Sequence, residues 1–203
     1  MNLKDENSLT EQPLVDKVLR GDTNAFSTII KNTEGLVAQI IFKMIANADD
    51  RKDIGQDIYL KTFQKLGSFK FQSKLSTWIG QIAYNTCINY LEKKKLVLLD
   101  HDNNDNSSTD EALEKLNNKI EPGYNETEKL MHRKELTKIL QIEIDKLPSV
   151  YKTLITLYHN ENLSYSEIAE ITGMPEGTIK NYLFRARKNL RNNLLLTYKK
   201  EVL

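Results

Sequence analysis

The sequence predicts an all-α protein of two small helical domains joined by an acidic flexible linker, and three observations predict it. Apolar residues recur at spacings of three and four along most of the chain, and no stretch alternates apolar with polar as a half-buried strand does. Charge is divided into blocks: residues 1–95 carry 14 Lys and Arg against 11 Asp and Glu, residues 96–128 carry 2 against 9, and residues 129–203 carry 13 against 8. The acidic middle block is also rich in Asp, Asn and Ser and poor in large apolar side chains, so it buries too little to offset the entropy of ordering. At 203 residues and 39% apolar, the chain is long enough to form one large core or two small ones.

The helices follow in order. Leu14, Val15, Val18 and Leu19 form a run that ends at Gly21, and Phe26, Ile29 and Ile30 lead to Leu36, Ile40, Ile41 and Met44. A third run starts at Asp50, a candidate cap, and passes through Ile54, Ile58, Tyr59, Phe63 and Leu66 to Gly67. After the loop SFKFQSKLS, a fourth carries Trp78, Ile79, Ile82, Ala83, Thr86 and Tyr90 at core spacing. Cys87, beside Ile88 and Leu91, reads as a small buried residue. These helices make a first domain over residues 1–95. In the linker, 96–128, residues 111–116 can form a short marginal helix and Pro122-Gly123 a break. The second domain, 129–203, opens with a helix over 130–147 that stops at Pro148, followed by a run over 150–158. Ser164 with Glu167 three residues on is a capping box, in which each side chain satisfies a backbone donor of the other residue. Ile168, Ala169 and Ile171 give that helix a narrow apolar face; Gly173 ends it in the left-handed conformation, and Pro175 starts the next. On the last helix Ile179, Leu183, Ala186 and Leu190 form one buried stripe.

Another face of that helix carries Lys180, Phe184, Arg187, Lys188 and Arg191, and no acid lies between Thr178 and Asn193. A short helix, a glycine turn and a second helix with a basic outer face fit the DNA major groove, where Lys neutralises phosphates and Arg pairs with guanine. Phe184 on this polar face suits a thymine methyl or a sugar. Enzyme chemistry has little to work with. His101, His132 and His159 are isolated, no glycine loop cradles a phosphate, and no acid or thiolate cluster has metal-ligand spacing. No catalytic residue, metal or cofactor is expected. The single cysteine excludes an internal disulfide, the amino end lacks a signal-peptide pattern, and the most apolar window, 36–46, is broken by Gln39 and Lys43. A cytoplasmic protein without membrane insertion is expected.

The stretch LSYSEIAEITGMPEGTIKNYLFRARKNL closely resembles the carboxy-terminal helix-turn-helix of bacterial sigma factors of the extracytoplasmic-function (ECF) group within the sigma-70 family. DDRKDIGQDIYLKTFQKLGSF followed by LSTWIGQIAYNTCINYL is similar to the amino-terminal domain of the same group, and the resemblance runs from about residue 26 to 195. It implies a non-catalytic subunit that binds core RNA polymerase and directs it to promoter DNA. In the family, the segment matching Asp53, Gln56, Asp57, Leu60 and Lys61 docks on a coiled coil of the polymerase largest subunit. The loop and helix that follow contact the minus-10 element and hold a flipped base, which places Phe69, Phe71, Lys74, Asn85 and Asn89 there; Trp78 reads as core instead. The minus-35 readers fall on Lys180, Asn181, Phe184 and Arg185, with Arg187 and Lys188 toward phosphates. The chain departs from the family at Tyr182, Gln81 and Glu92, where relatives are commonly basic, which lowers the charge contribution to DNA affinity. By resemblance, the linker lies along the polymerase cleft, and an anti-sigma factor holds the protein inactive. An autonomous helix-turn-helix regulator of operator DNA is the alternative, which leaves the first domain unexplained.

Overall fold

The computed structural model describes the backbone over residues 3–99 and 126–201 and side chains over 11–95 and 136–196. The described residues form α1 (Leu3–Leu19), α2 (Thr23–Met44), α3 (Ala48–Lys65), a single 3-10 turn (Leu66–Ser68) and α4 (Leu75–Leu99). After the acidic block come α5 (Glu126–Asp145), α6 (Ser149–His159), α7 (Tyr165–Thr172) and α8 (Glu176–Glu201). No strand occurs among the described residues, so the all-α expectation holds. The short helix expected at 111–116 and the break at Pro122-Gly123 lie outside the described residues.

Local chemistry sets the helix ends. Asp22 caps α2, its carboxylate accepting from the N–H groups of Asn24 at 2.9 Å and Ala25 at 3.2 Å. The cap of α3 is Asn47, which accepts from Asp49 N–H at 3.0 Å. This corrects the expected start at Asp50. The carboxylate of Asp50 turns instead to the Tyr90 hydroxyl and to Lys94, tying α3 to α4. The α4 N-terminus is capped from a distance, because Glu11 of α1 accepts from Leu75 N–H at 3.0 Å. The expected capping box of α7 is present: Ser164 Oγ accepts from Glu167 N–H at 3.2 Å, and Glu167 Oε2 accepts from Ser164 N–H at 2.8 Å. Gly173 closes α7 with φ 71°, in the left-handed region.

Ile29, Ile40, Ile58 and Ile79 fill the core of the first helical group, and Ile168, Ile171, Ile179 and Leu183 that of the second. Phe63, expected in the first core, is 49% exposed, its ring edge against Phe26 with centroids 5.1 Å apart. The two groups share one continuous apolar core, which the sequence does not predict: α4 packs on α7 and α2 on α6. Thr153, Leu154, Ile155, Thr156 and Leu157 of α6 are all buried, five consecutive residues that span every side of a helix. Such a helix is covered all round, here by α2 on one side and α7 and α8 on another. Two ion pairs cross the same junction, Lys43 Nζ to Asp145 Oδ1 at 2.7 Å and Lys74 Nζ to Glu167 Oε1 at 2.8 Å.

Candidate nucleic-acid interface

The outer face of α8 is held by aromatic rings of the two preceding helices. Tyr158 and Tyr165 stack with centroids 5.0 Å apart and planes 13° from parallel. Lys180 lies 5.2 Å from the Tyr165 centroid and Arg187 lies 5.3 Å from that of Tyr158, so two cations of α8 flank one ring stack. Arg187 also donates from Nε to His159 Nε2 at 3.4 Å. Burial, and then the Arg187 charge, push the His159 pKa below its ordinary value, so the ring is neutral at pH 7 and accepts. Lys180 makes a loose pair with Glu176 at 3.6 Å, which leaves its ammonium at the surface. Asn181 and Arg185 are exposed, Lys188 is half-buried, and Phe184 is 65% exposed. The sequence places these six residues on one surface without finding the ring stack beneath it. Tyr182 is half-buried edge-on to Tyr151 of α6, with centroids 5.5 Å apart, so it is a packing residue.

A second candidate surface lies beside the loop before α4. Phe71 has φ 56°, unusual for a bulky residue, and its ring sits 4.7 Å from that of Phe69. Phe69 is only 7% exposed and lies 5.2 Å from Trp78, so it makes a floor and offers no open stacking platform. A cavity of about 400 Å³ opens here between Lys70, Phe69, Trp78, Gln81 and, from the second helical group, Glu170. Thr77, buried at its wall, has a hydroxyl with no hydrogen-bond partner. The groove continues for about 240 Å³ between α3 and α4, past Lys61, Lys65, Asn85 and Asn89. The structure therefore brings Asn85, Asn89 and Phe69 onto one groove and turns Lys74 away from it, toward Glu167. Trp78, read from the sequence as core, packs on Phe69 and also lines both cavities. Sequence reasoning missed Lys65 and Lys70; a lysine four residues after Lys61 on the same helix face was the available signal.

A third surface runs along α3. Asp53, Gln56, Asp57 and Leu60 are all exposed, at spacings that place them on one face, and Phe63 extends it. Leu60, 56% exposed, and Phe63 put apolar area in water beside two carboxylates. Lys61 departs from this set. Its ammonium meets Asp57 at 2.7 Å and Thr86 at 3.4 Å, on the groove side of the helix.

The family model for sigma-70 region 2 matches residues 29–97, and the model for sigma-70 region 4 matches residues 138–190. The ECF RNA polymerase sigma-E factor of Escherichia coli (strain K12) is 32% identical over 190 residues, covering 92% of this chain and 95% of that protein. The sigma-E factor of Haemophilus influenzae is 31% identical over 193 residues, covering 92% and 96%. Among solved structures, the sigma factor RpoE in complex with the anti-sigma factor NepR from Bartonella quintana superposes with a TM-score of 0.61 at 22% identity, over 83% of this chain and 96% of that one. CnrH, solved in complex with the cytosolic domain of CnrY, superposes with a TM-score of 0.57 at 16% identity, over 89% and 94%. At those identities the two structures speak for the fold alone.

Proposed function

The chain belongs to the ECF group of the sigma-70 family, and on that premise we propose that it binds core RNA polymerase and directs it to promoters, where the pair recognises and locally melts DNA. The observation that carries this reading is the presence, on one chain, of a capped helix-turn-helix with an exposed basic face and a separate helix face of exposed acids and Leu60.

The work divides among three surfaces. Asp53, Gln56, Asp57 and Leu60 of α3 meet the polymerase: Leu60 supplies the apolar anchor and the carboxylates select a basic partner. The groove between α3 and α4 takes the melted minus-10 strand. Asn85 and Asn89 offer amide donors and acceptors to base edges, Lys61 neutralises phosphate, and Phe69 and Trp78 wall the space for an unstacked base. Lys180, Asn181, Phe184 and Arg185 of α8 read the minus-35 element in the major groove, with Arg187 and Lys188 on its phosphates. Residues 1–95 and 129–203 act as the two recognition domains, and the acidic segment 96–128 lies along the polymerase cleft. The protein is non-catalytic and works in the cytoplasm; no described helix is long and apolar enough to cross a membrane. An anti-sigma factor that covers the polymerase-facing surface holds it inactive.

Co-elution with core polymerase tests the assignment. The unaltered chain is expected to co-elute and to support discrete run-off transcripts, and Leu60→Asp to weaken co-elution. Equal co-elution of Leu60→Asp and the unaltered chain would remove α3 from the interface.

A further inference from the structure

Arg187, assigned to a minus-35 phosphate, rests against the end of α6. His159 is the last residue of that helix, and its Nε2 accepts from Arg187 Nε and faces Arg187 Nη2, each at 3.4 Å. The ring is neutral at pH 7, so one of its nitrogens can accept. A guanidinium carries five N–H donors in one plane, and a single acceptor at its Nε edge fixes that plane while leaving other donors for a phosphate. Tyr158, the neighbour of His159 in α6, lies with its ring centroid 5.3 Å from Arg187 and stands edge-on to the imidazole, centroids 4.9 Å apart. The guanidinium is thus bounded by a phenol ring and by an imidazole from the same helix end.

The imidazole stands on a rigid mount. Residues 153–157, immediately before Tyr158, are all buried. The turn that follows is closed by Asn160 N–H on Thr156 O at 2.9 Å, Glu161 N–H on the same oxygen at 3.2 Å and Leu163 N–H on Leu157 O at 3.1 Å. A long side chain held in place before binding loses less rotamer freedom on its target. We infer that His159 is a positioning residue for promoter binding: its Nε2 holds Arg187 in the orientation that meets a minus-35 phosphate. The role rests on the proposed placement of Arg187 at a phosphate; the contact between the two side chains does not.

Two measurements separate the contact from the role. Nuclear magnetic resonance titration of the full chain follows the His159 ring, assigned by its loss in His159→Gln. Arg187→Ala is expected to raise the His159 pKa, because the cation beside the ring is gone. An unchanged His159 titration overturns the contact. For the role, the probe is the genomic fragment that gives the strongest run-off transcript, bound at fixed salt by the chain in complex with core polymerase. Arg187→Ala is expected to weaken binding about fivefold and His159→Ala about threefold. His159→Gln, whose amide oxygen still accepts, is expected to bind as the unaltered chain does. In the Arg187→Ala background, His159→Ala is expected to have no further effect, whereas a merely structural role would persist there. A loss that persists in that background, or a glutamine variant as weak as His159→Ala, overturns the proposal. If the unaltered chain and core polymerase together give no run-off transcript, the assigned function falls and the positioning role with it, while the titration still decides the contact.

Discussion

At the scale of single residues, the α8 side chains proposed to face DNA divide by how firmly they are held. Arg187 rests on Tyr158 and His159, so it suits a phosphate at a fixed place, whereas Arg185 stands exposed on the same helix and suits a base edge. Arg185→Ala is expected to lower promoter-dependent transcription about tenfold or more while co-elution with core polymerase is unchanged, the cost of one base contact. Acid titrates the junction. Burial raises the Glu167 pKa, but Lys74 and the Ser164 N–H more than offset it, and the net value falls below 4.5. An acid depressed in this way contributes its stabilisation in full above its free value and loses it as pH falls through the depressed one. Asp145 is also depressed, with burial opposed by Lys43 and Gln141. The contact between the two helical groups is therefore expected to hold in full above pH 4.5 and to weaken as pH falls through the depressed values, read as a falling thermal midpoint of unfolding. Cys87 supplies a control: the folded chain is expected to resist thiol alkylation at pH 8, with labelling only after denaturation.

At the scale of elements, the helix-turn-helix depends on two local devices. Gly173→Ala places a Cβ at φ 71° and is expected to cost about 1 kcal/mol, and Ser164→Ala loses a cap at about 1 kcal/mol, both read from the thermal midpoint of unfolding. These devices were legible because each is written within a few adjacent residues. The buried stripe from Ile179 to Leu190 was legible for a similar reason, since its period follows directly from helix geometry. Asn47 was missed as a cap because Asp49 and Asp50 follow so closely that composition alone does not choose among them. Phe63 misled because it continues the spacing of Ile54 and Ile58 while lying one step around toward Leu60. Contacts between distant elements left no local trace. Lys43 and Asp145 are 102 positions apart, and nothing near Gly80 announces that Ile171 will occupy the space beside it.

At the scale of the whole molecule, one core spans both helical groups, and α6 is buried from both sides. Unfolding is therefore expected to be a single transition, with Trp78 fluorescence in the first helical group and far-ultraviolet circular dichroism of all helices changing together. Two separated transitions would contradict the shared core. Charge alone gives the chain little hold on DNA, with 29 basic against 28 acidic residues overall, so promoter use is expected to depend on polymerase. Run-off transcription from genomic fragments with purified core polymerase, with and without the chain, tests the central claim most directly. Discrete new transcripts that appear only when both are present are the predicted result. A chain that adds no transcript yet shifts duplex promoter DNA by itself would contradict the account and make the protein an operator-binding regulator.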